Sequence, residues 1–246
     1  MEPIIQSSFA RFETKYLLTP RQYEAVRRAV RAHMQPDIYA EYPIHNIYYD
    51  TDDYTLIRLS LEKPVYKEKL RARSYGDVTD GSTVFAELKK KYKGEVYKRR
   101  IVLTAGEAAD YLNRGVKPAQ DNQIRREIDW FLMRNEVKPR VFIGYDREAY
   151  AGRDDPETRV TFDTRMRWRT DRLDLRLGGS GRPLIPGDEI LMEAKLPGVA
   201  PLWLARVLSD AGAVRTSFSK YGTCYKSFIL PEFKNIYESK EAYHCA

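Results

Sequence analysis

The strongest constraint on how this chain folds is an alternation. In several short segments a charged side chain occupies every second position and an apolar one fills the gaps. A β-strand sends alternate side chains to opposite faces, so each such segment reads as a strand with one charged face and one apolar face. Arg11, Glu13 and Lys15 alternate with Phe12, Thr14 and Tyr16. After Pro64, the residues Lys67, Lys69, Arg71 and Arg73 share a face against Leu70 and Ala72. Glu87 and Lys89 oppose Ala86 and Leu88. Asp163, Arg165, Arg167 and Arg169 oppose Phe162, Met166 and Trp168. Glu193 and Lys195 oppose Met192, Ala194 and Leu196. Around Tyr145 the division is less clean, because Tyr145 and Arg147 share their parity with Val141 and Ile143.

Any one of these strands fits an ordinary half-solvated antiparallel sheet. The set says more. Arg and Lys dominate the charged faces, and the interrupting acids recur in Glu-x-Lys form, as Glu13/Lys15, Glu87/Lys89 and Glu193/Lys195. Amphipathic helices are available to cover the apolar faces. Thr19-Pro20 reads as a cap and first helical position ahead of Gln22 to Met34, and Thr104 with Glu107 as a capping box. Asn122 to Glu136 carries Ile124, Ile128, Phe131 and Leu132 on one stripe; Leu202 to Ala211 and Tyr221 to Ile229 are further helices. The stretch from Tyr75 to Ser82 is a hairpin connection, and Leu177 to Pro183 is a loop between strands. The fold class expected is α+β. A sheet of this kind can close into a barrel with its polar face inward, which removes exposed edges. Cations lining such a channel repel one another unless a polyanion lies among them. The pattern therefore points to linear phosphates, with carboxylates to hold a divalent metal.

Length and composition, 246 residues with 43% hydrophobic and 31% charged, suit one globular domain with a real core. The 42 Lys and Arg against 35 Asp and Glu leave a net charge of +7 and favour an anionic partner. Charge alone does not choose between nucleic acid, membrane surface and phosphate metabolite. No apolar run is long enough for a transmembrane helix and no signal peptide is visible. Cys224 and Cys245 cannot form a disulfide framework, and His33, His45 and His244 are too scattered for a zinc site, so a reduced, cytoplasmic setting is expected. The run Lys89-Lys90-Lys91-Tyr92-Lys93 looks like a nucleic-acid patch, but reads better as Lys89 on the charged face with the rest at a solvated strand end. Asp50-Thr51-Asp52-Asp53 lacks calcium-loop spacing and reads as a turn and helix cap; Trp130, Phe131 and Trp203 are expected in the core, and His45 in a strand without a catalytic role.

Eight short runs, in order, resemble the VTC domain, the catalytic domain of the vacuolar transporter chaperone polyphosphate polymerase. They are Arg11-Phe12-Glu13-Thr14-Lys15-Tyr16, Ile47-Tyr48-Tyr49-Asp50-Thr51, Lys69 to Tyr75, Glu87-Leu88-Lys89, Tyr145-Asp146-Arg147, Arg159 to Asp163, Leu191 to Lys195, and Ser219-Lys220-Tyr221. The resemblance spans about residues 9–230 of a single domain, and the family sits among the triphosphate tunnel metalloenzymes beside the CYTH proteins. It implies an eight-stranded antiparallel β-barrel, the triphosphate tunnel, with surrounding helices. It also implies that Lys15, Arg71, Arg73, Lys89 and Arg147 are the catalytic phosphate contacts. Lys98 or its neighbours Arg99 and Arg100, with Tyr145, Arg165, Lys195, Ser219 and Lys220, would bind or position the phosphate chain. Glu193, with Glu13, would hold Mn2+ or Mg2+.

One departure shapes the expected reaction. CYTH enzymes carry Glu-x-Glu-x-Lys on the first strand, whereas here Arg11 stands at the first acid. Losing that carboxylate weakens the case for a second metal and for activated water. The activity implied is therefore transfer of the γ-phosphoryl group of ATP to a growing inorganic polyphosphate chain. The alternatives are a tripolyphosphatase or nucleoside triphosphatase on the same scaffold, or a module that binds polyphosphate without turnover. The partners implied are ATP and polyphosphate rather than nucleic acid, with a membrane partner for the product left open.

Overall fold

The structure is a computed structural model that describes residues 12–232. Arg11, His244 and Cys245 lie outside the described residues. Nine strands form one sheet: β1 (Phe12–Leu18), β2 (Met34–Asp50), β3 (Tyr66–Tyr75), β4 (Thr83–Tyr92), β5 (Glu95–Thr104), β6 (Lys138–Gly152), β7 (Arg159–Arg169), β8 (Arg182–Pro183) and β9 (Ile190–Leu196). Their order is β1-β9-β7-β6-β2-β3-β4-β5, with β8 paired to β7. The helices are α1 (Pro20–His33), α2 (Thr55–Leu61), α3 (Ala105–Arg114), α4 (Gln123–Asn135), α5 (Leu202–Asp210) and α6 (Lys220–Cys224), which runs on into a π-helical turn, Tyr225–Ile229.

The expected closed barrel is not formed. β1 and β5 stand at the two ends of the strand order and do not pair with each other. Each edge is blunted by something else. The open side of β1 receives the 215–216 segment, through a bridge between Tyr16 and Arg215 and a 2.8 Å bond from Thr216 N to Lys15 O. On β5, Gln120 donates to Val102 O at 2.8 Å, and the exposed Lys98, Arg99 and Arg100 discourage pairing by charge. An edge managed in these ways has no need of closure.

The chain packs as two compact units, through both of which β2, β6 and β7 run. The first comprises residues 12–42, Asp146–Arg165 and Ile185–Ser217. Its core takes the apolar sides of β1 and β9 (Tyr16, Leu18, Met192, Ala194, Leu196), Phe162 and Tyr150, and covers them with Val26 and Val30 of α1 and Leu204 and Leu208 of α5. α1 starts where the sequence predicts: Thr19 accepts from Gln22 N, Gln22 returns a bond to Thr19 N, and Pro20 fills the first turn. Trp203 packs against this core and stacks on His33.

The second unit comprises Pro43–Tyr145, Met166–Leu184 and residues 218–232. Its core joins Ile47, Tyr49, Leu70, Ala72, Ala86, Leu88, Ile101 and Leu103 of the sheet to Tyr111 and Leu112 of α3 and Ile128 and Phe131 of α4. Thr104 and Glu107 form the predicted capping box of α3, and Asn122 caps α4 through Arg125 N at 2.9 Å. Asp50 accepts from the amides of Thr51, Leu56 and Ile57 at 2.9–3.0 Å and so caps the start of α2. Phe131 is buried, but Trp130 is 58% exposed, because the α4 stripe that packs inward runs through Ile128 and Phe131 and leaves Trp130 outside it.

The alternation rule fails in one strand. Before Arg165, Phe162 packs against Tyr150 and Tyr23 on the apolar side. After it, Arg169 lies 3.7 Å from the ring of Phe142, which shares its parity on β6 with Tyr150. Arg165 itself sits at φ 45°, inserting a left-handed residue that reverses the parity of the strand. Arg167 and Arg169 therefore do not share the face of Asp163.

Candidate functional site

Strand register assembles a cationic face in the second unit. Tyr48 stands opposite Arg71, Arg71 opposite Glu87, and Glu87 opposite Arg100. One row away are Asn46, Arg73, Phe85 and Val102; on the other side come Lys69, Lys89 and Lys98, then Lys67, Lys91 and Val96. Glu87 is the one carboxylate among the β3, β4 and β5 positions of this face. Its side chain is 1% exposed and is surrounded by cations. Arg71 Nη2 lies 2.7 Å and Arg73 Nε 3.8 Å from Oε2, and Lys98 Nζ lies 2.7 Å from Oε1. Burial alone would raise the Glu87 carboxyl, but Arg71, Arg73 and Lys98 pull it down to about 2.

Neutral hydrogen-bonding groups hold the arginines in place. Arg71 Nη1 donates to Tyr48 Oη at 3.2 Å. Arg73 Nε donates to Asn46 Oδ1 at 2.9 Å and its Nη2 to Tyr145 Oη at 3.1 Å, while Asn46 is itself fixed by a bond to Ile143 O. Burial favours the neutral Tyr48 phenol, yet Arg71, Arg73 and Lys69 bring it below the ordinary tyrosine value, which measures how positive this face is. Arg100 packs its guanidinium over the Phe85 ring at 4.8 Å. Lys220 places Nζ 4.3 Å from the Tyr145 ring, and Ser219 caps α6 through Gly222 N. The next residue, Tyr221, stacks on Tyr48 at 4.8 Å and donates its phenol to the buried Asp50 at 2.8 Å.

The first unit carries a second cluster, richer in acids. Register places Lys15 opposite Glu193 and Glu13 opposite Lys195. Lys15 Nζ lies 3.1 Å from Glu13 and 3.2 Å from Glu193. Burial works against the Lys15 charge, but Glu193 and Glu13 outweigh it and hold the ammonium above the ordinary lysine value. Arg147 makes a two-pronged pair with the fully buried Asp163, at 2.6 and 2.8 Å, and its Nη2 is 3.9 Å from Glu193. Lys195 is half-buried on the same side of β9 as Glu193. Arg165 is placed apart from this group: its guanidinium meets Asp146 and its side chain is 79% exposed.

Thus Arg71, Arg73, Lys89, Lys98, Arg100, Tyr145, Ser219 and Lys220 fall in one unit, and Glu13, Lys15, Arg147, Glu193 and Lys195 in the other. Asn46 was not singled out by the sequence, and Tyr48 and Tyr221 lay in the resembling runs without being given a role. The signal was present in β2, where Asn46, Tyr48 and Asp50 alternate with the core residues Ile47 and Tyr49. Among the described residues, no group of three or more His, Cys, Asp or Glu side chains could by itself cage a metal ion. Glu13 and Glu193 nevertheless flank one cation position, filled by the Lys15 ammonium, and Glu13 is exposed. Two hard oxygen donors of this kind suit a Mg2+ or Mn2+ ion that takes its other ligands from phosphate and water.

The VTC domain family profile matches residues 10–229. Vacuolar transporter chaperone complex subunit 4 of Schizosaccharomyces pombe is 23% identical over 191 residues, which is 65% of this chain and 26% of that protein. The chain thus spans about a quarter of the length of that relative. A solved structure from Bacillus halodurans, described as a candidate adenylate cyclase, superposes with a TM-score of 0.53 at 13% identity, covering 84% of this chain and 92% of that one. The PH1819 protein of Pyrococcus horikoshii gives 0.46 at 12% identity, covering 89% and 99%. The chain belongs to the VTC domain family.

Proposed function

We propose that this protein is a metal-dependent polyphosphate polymerase that moves the γ-phosphoryl group of ATP onto the end of an inorganic polyphosphate chain. The observation that carries the proposal is the imbalance on the β3–β5 face, where Arg71, Arg73, Lys98 and Arg100 gather around the carboxylate of Glu87. Clustered cations of this number are stable together only with anions among them, and a linear phosphate supplies many charges at regular spacing.

The reaction needs alignment and charge neutralisation more than covalent help. A terminal oxygen of the polyphosphate chain attacks the γ-phosphorus. The bond from that phosphorus to the β–γ bridging oxygen breaks, and ADP leaves with the electron pair. The attacking oxygen is already anionic, so no side chain has to take a proton. Arg71 and Arg73 are pre-oriented by Tyr48, Asn46 and Tyr145 and can each meet two phosphate oxygens. Lys89 and Lys98 add compact charge, and Lys220 with Ser219 steadies the chain beside Tyr145. In the first unit, Lys15 and Arg147 are assigned phosphate contacts and Glu193 with Glu13 the metal. Bound there, Mn2+ or Mg2+ would neutralise phosphate oxygens as charge moves to the leaving group.

The test is incubation of the purified protein with ATP and Mn2+, with gel analysis and an ADP assay. Long chains formed in step with ADP are expected. Orthophosphate without polymer would replace this reading by the hydrolase, and tight binding of polyphosphate without ADP release would replace it by a binding module. Tripolyphosphate should compete with polyphosphate, whereas DNA should not.

A further inference from the structure

The lysine run that ends β4 extends beyond the phosphate face. Register sets Tyr66 beside Tyr92 and Glu95, Lys67 beside Lys91 and Val96, and Glu68 beside Lys90 and Tyr97. These rows close in a two-residue turn, Lys93-Gly94, with φ of 47° and 94°. Positive φ at both central positions is the turn whose twist suits a tight hairpin. Lys93 N also donates to Val65 O at 3.0 Å, tying the turn to the segment that enters β3. The tip is therefore a held surface rather than a loose loop.

That surface is unusually apolar for an exposed one. Apolar side chains are exposed on both faces of the tip: Tyr66 (44%), Tyr92 (47%) and Tyr97 (46%) on one, Val96 (50%) on the other, with Val65 (64%) beside the turn. Lys93 lies 5.5 Å from the Tyr92 ring and Lys91 stands beside Val96, while Lys63 and Lys91 are close enough to Lys67 to oppose its charge. The nearby acids are mostly committed: Glu68 is buried against Arg134, Glu127 holds Lys90, and Glu95 accepts from Tyr97 at 2.6 Å. Glu62 and Glu95 are both exposed.

Three occupants could cover a basic, aromatic tip, and the side chains separate them. A second copy paired edge to edge would bring Lys98, Arg99 and Arg100 against their own counterparts, a repulsive register. Single-stranded nucleic acid needs flat ring faces for its bases. Here Tyr66 and Tyr92 meet edge-on at 63°, and Val65 and Val96 have no ring to offer. A bilayer surface suits all the parts. Tyrosine favours the headgroup level, small aliphatic tips can enter it, and lysines reach anionic headgroups from its rim.

We propose that the β4–β5 hairpin tip, with Val65 and Tyr66, docks this protein peripherally on a bilayer surface rich in anionic lipid. No helix among the described residues is long and apolar enough to cross a membrane. The proposal does not rest on the polymerase reading.

The experiment is co-sedimentation of the full chain with phosphatidylcholine vesicles, with and without phosphatidylserine. The wild type should pellet with the phosphatidylserine vesicles and progressively less as salt rises. Tyr92→Ser/Val96→Ser and, separately, Lys91→Glu/Lys93→Glu should each weaken this by at least about tenfold, with thermal melting unchanged because the altered side chains are exposed. Saturating tripolyphosphate should leave the pelleted fraction unchanged. Failure of the wild type to pellet, equal pelleting by both variants, or release by tripolyphosphate would overturn the proposal. So would single-stranded DNA binding that both variants lose while vesicles are ignored.

Discussion

Glu87→Gln isolates the electrostatic logic of the cationic face, because it removes one charge and almost no volume. The wild-type carboxyl is 1% exposed and titrates near 2 instead of 4.5, with burial opposed by Arg71, Arg73 and Lys98. A depression of that size corresponds to about 3 kcal/mol, at 1.36 kcal/mol per pH unit. The folded-state value lies below the unfolded one. The stabilisation is therefore complete above about pH 4.5 and is lost as pH falls toward about 2. At neutral pH the glutamine variant should lose roughly 6–12 °C in Tm, taking roughly 2–4 °C per kcal/mol for a chain of this size. Below about pH 2 the two proteins should converge. Scanning calorimetry across pH reads both effects. Tripolyphosphate should then restore more Tm to the variant than it adds to the wild type, since it supplies the anion the arginines have lost. Equal melting of the two proteins at pH 7 would refute the account of Glu87 as the counter-ion of this face. Equal ligand-induced shifts would refute the view that phosphate and Glu87 act on the same cations.

Other consequences follow from the same geometry. Arg147→Ala should abolish turnover and also cost about 3–5 kcal/mol of stability, because it strands the buried Asp163; adding Asp163→Asn should recover much of the Tm but none of the activity. Arg71→Ala should remove turnover with a smaller loss in Tm, since Arg73 and Lys98 still face Glu87. Glu193→Gln should raise the Mn2+ concentration needed for half-maximal activity, and an unchanged metal titration would count against the ligand role. Tyr221→Phe removes the bond to Asp50 while keeping the stack on Tyr48, so tripolyphosphate affinity measured by calorimetry should fall a few-fold through a loosened Lys220.

Much of the site could be read from local pattern. Alternation alone put Lys69, Arg71 and Arg73 on one side of β3 and Leu70 and Ala72 on the other, and the structure keeps that division because side-chain direction in a strand is fixed by the backbone. The caps of α1 and α3 were legible for the same reason: Thr19 with Gln22 and Thr104 with Glu107 act across three residues. The partners of the arginines were not legible. Asn46 and Tyr145 reach Arg73 through the register of the folded sheet, and the packing of α6 brings Lys220 to Tyr145 and Tyr221 to Asp50, all from segments far apart in sequence.

What the amino-acid order determined by itself was the division of β1, β3, β4 and β9 into a charged and an apolar side, the starts of α1 and α3, and the cationic excess that calls for an anion. Tertiary structure decided the rest. The left-handed backbone at Arg165 reversed the faces of Arg167 and Arg169, which no alternation count can foresee. Closure was decided at the sheet edges, where Thr216 and Gln120 supply the hydrogen bonds that a neighbouring strand would otherwise have made. The first outcome turns on one backbone dihedral and the second on hydrogen bonds from distant segments, and neither can be read from an alternation of residue types.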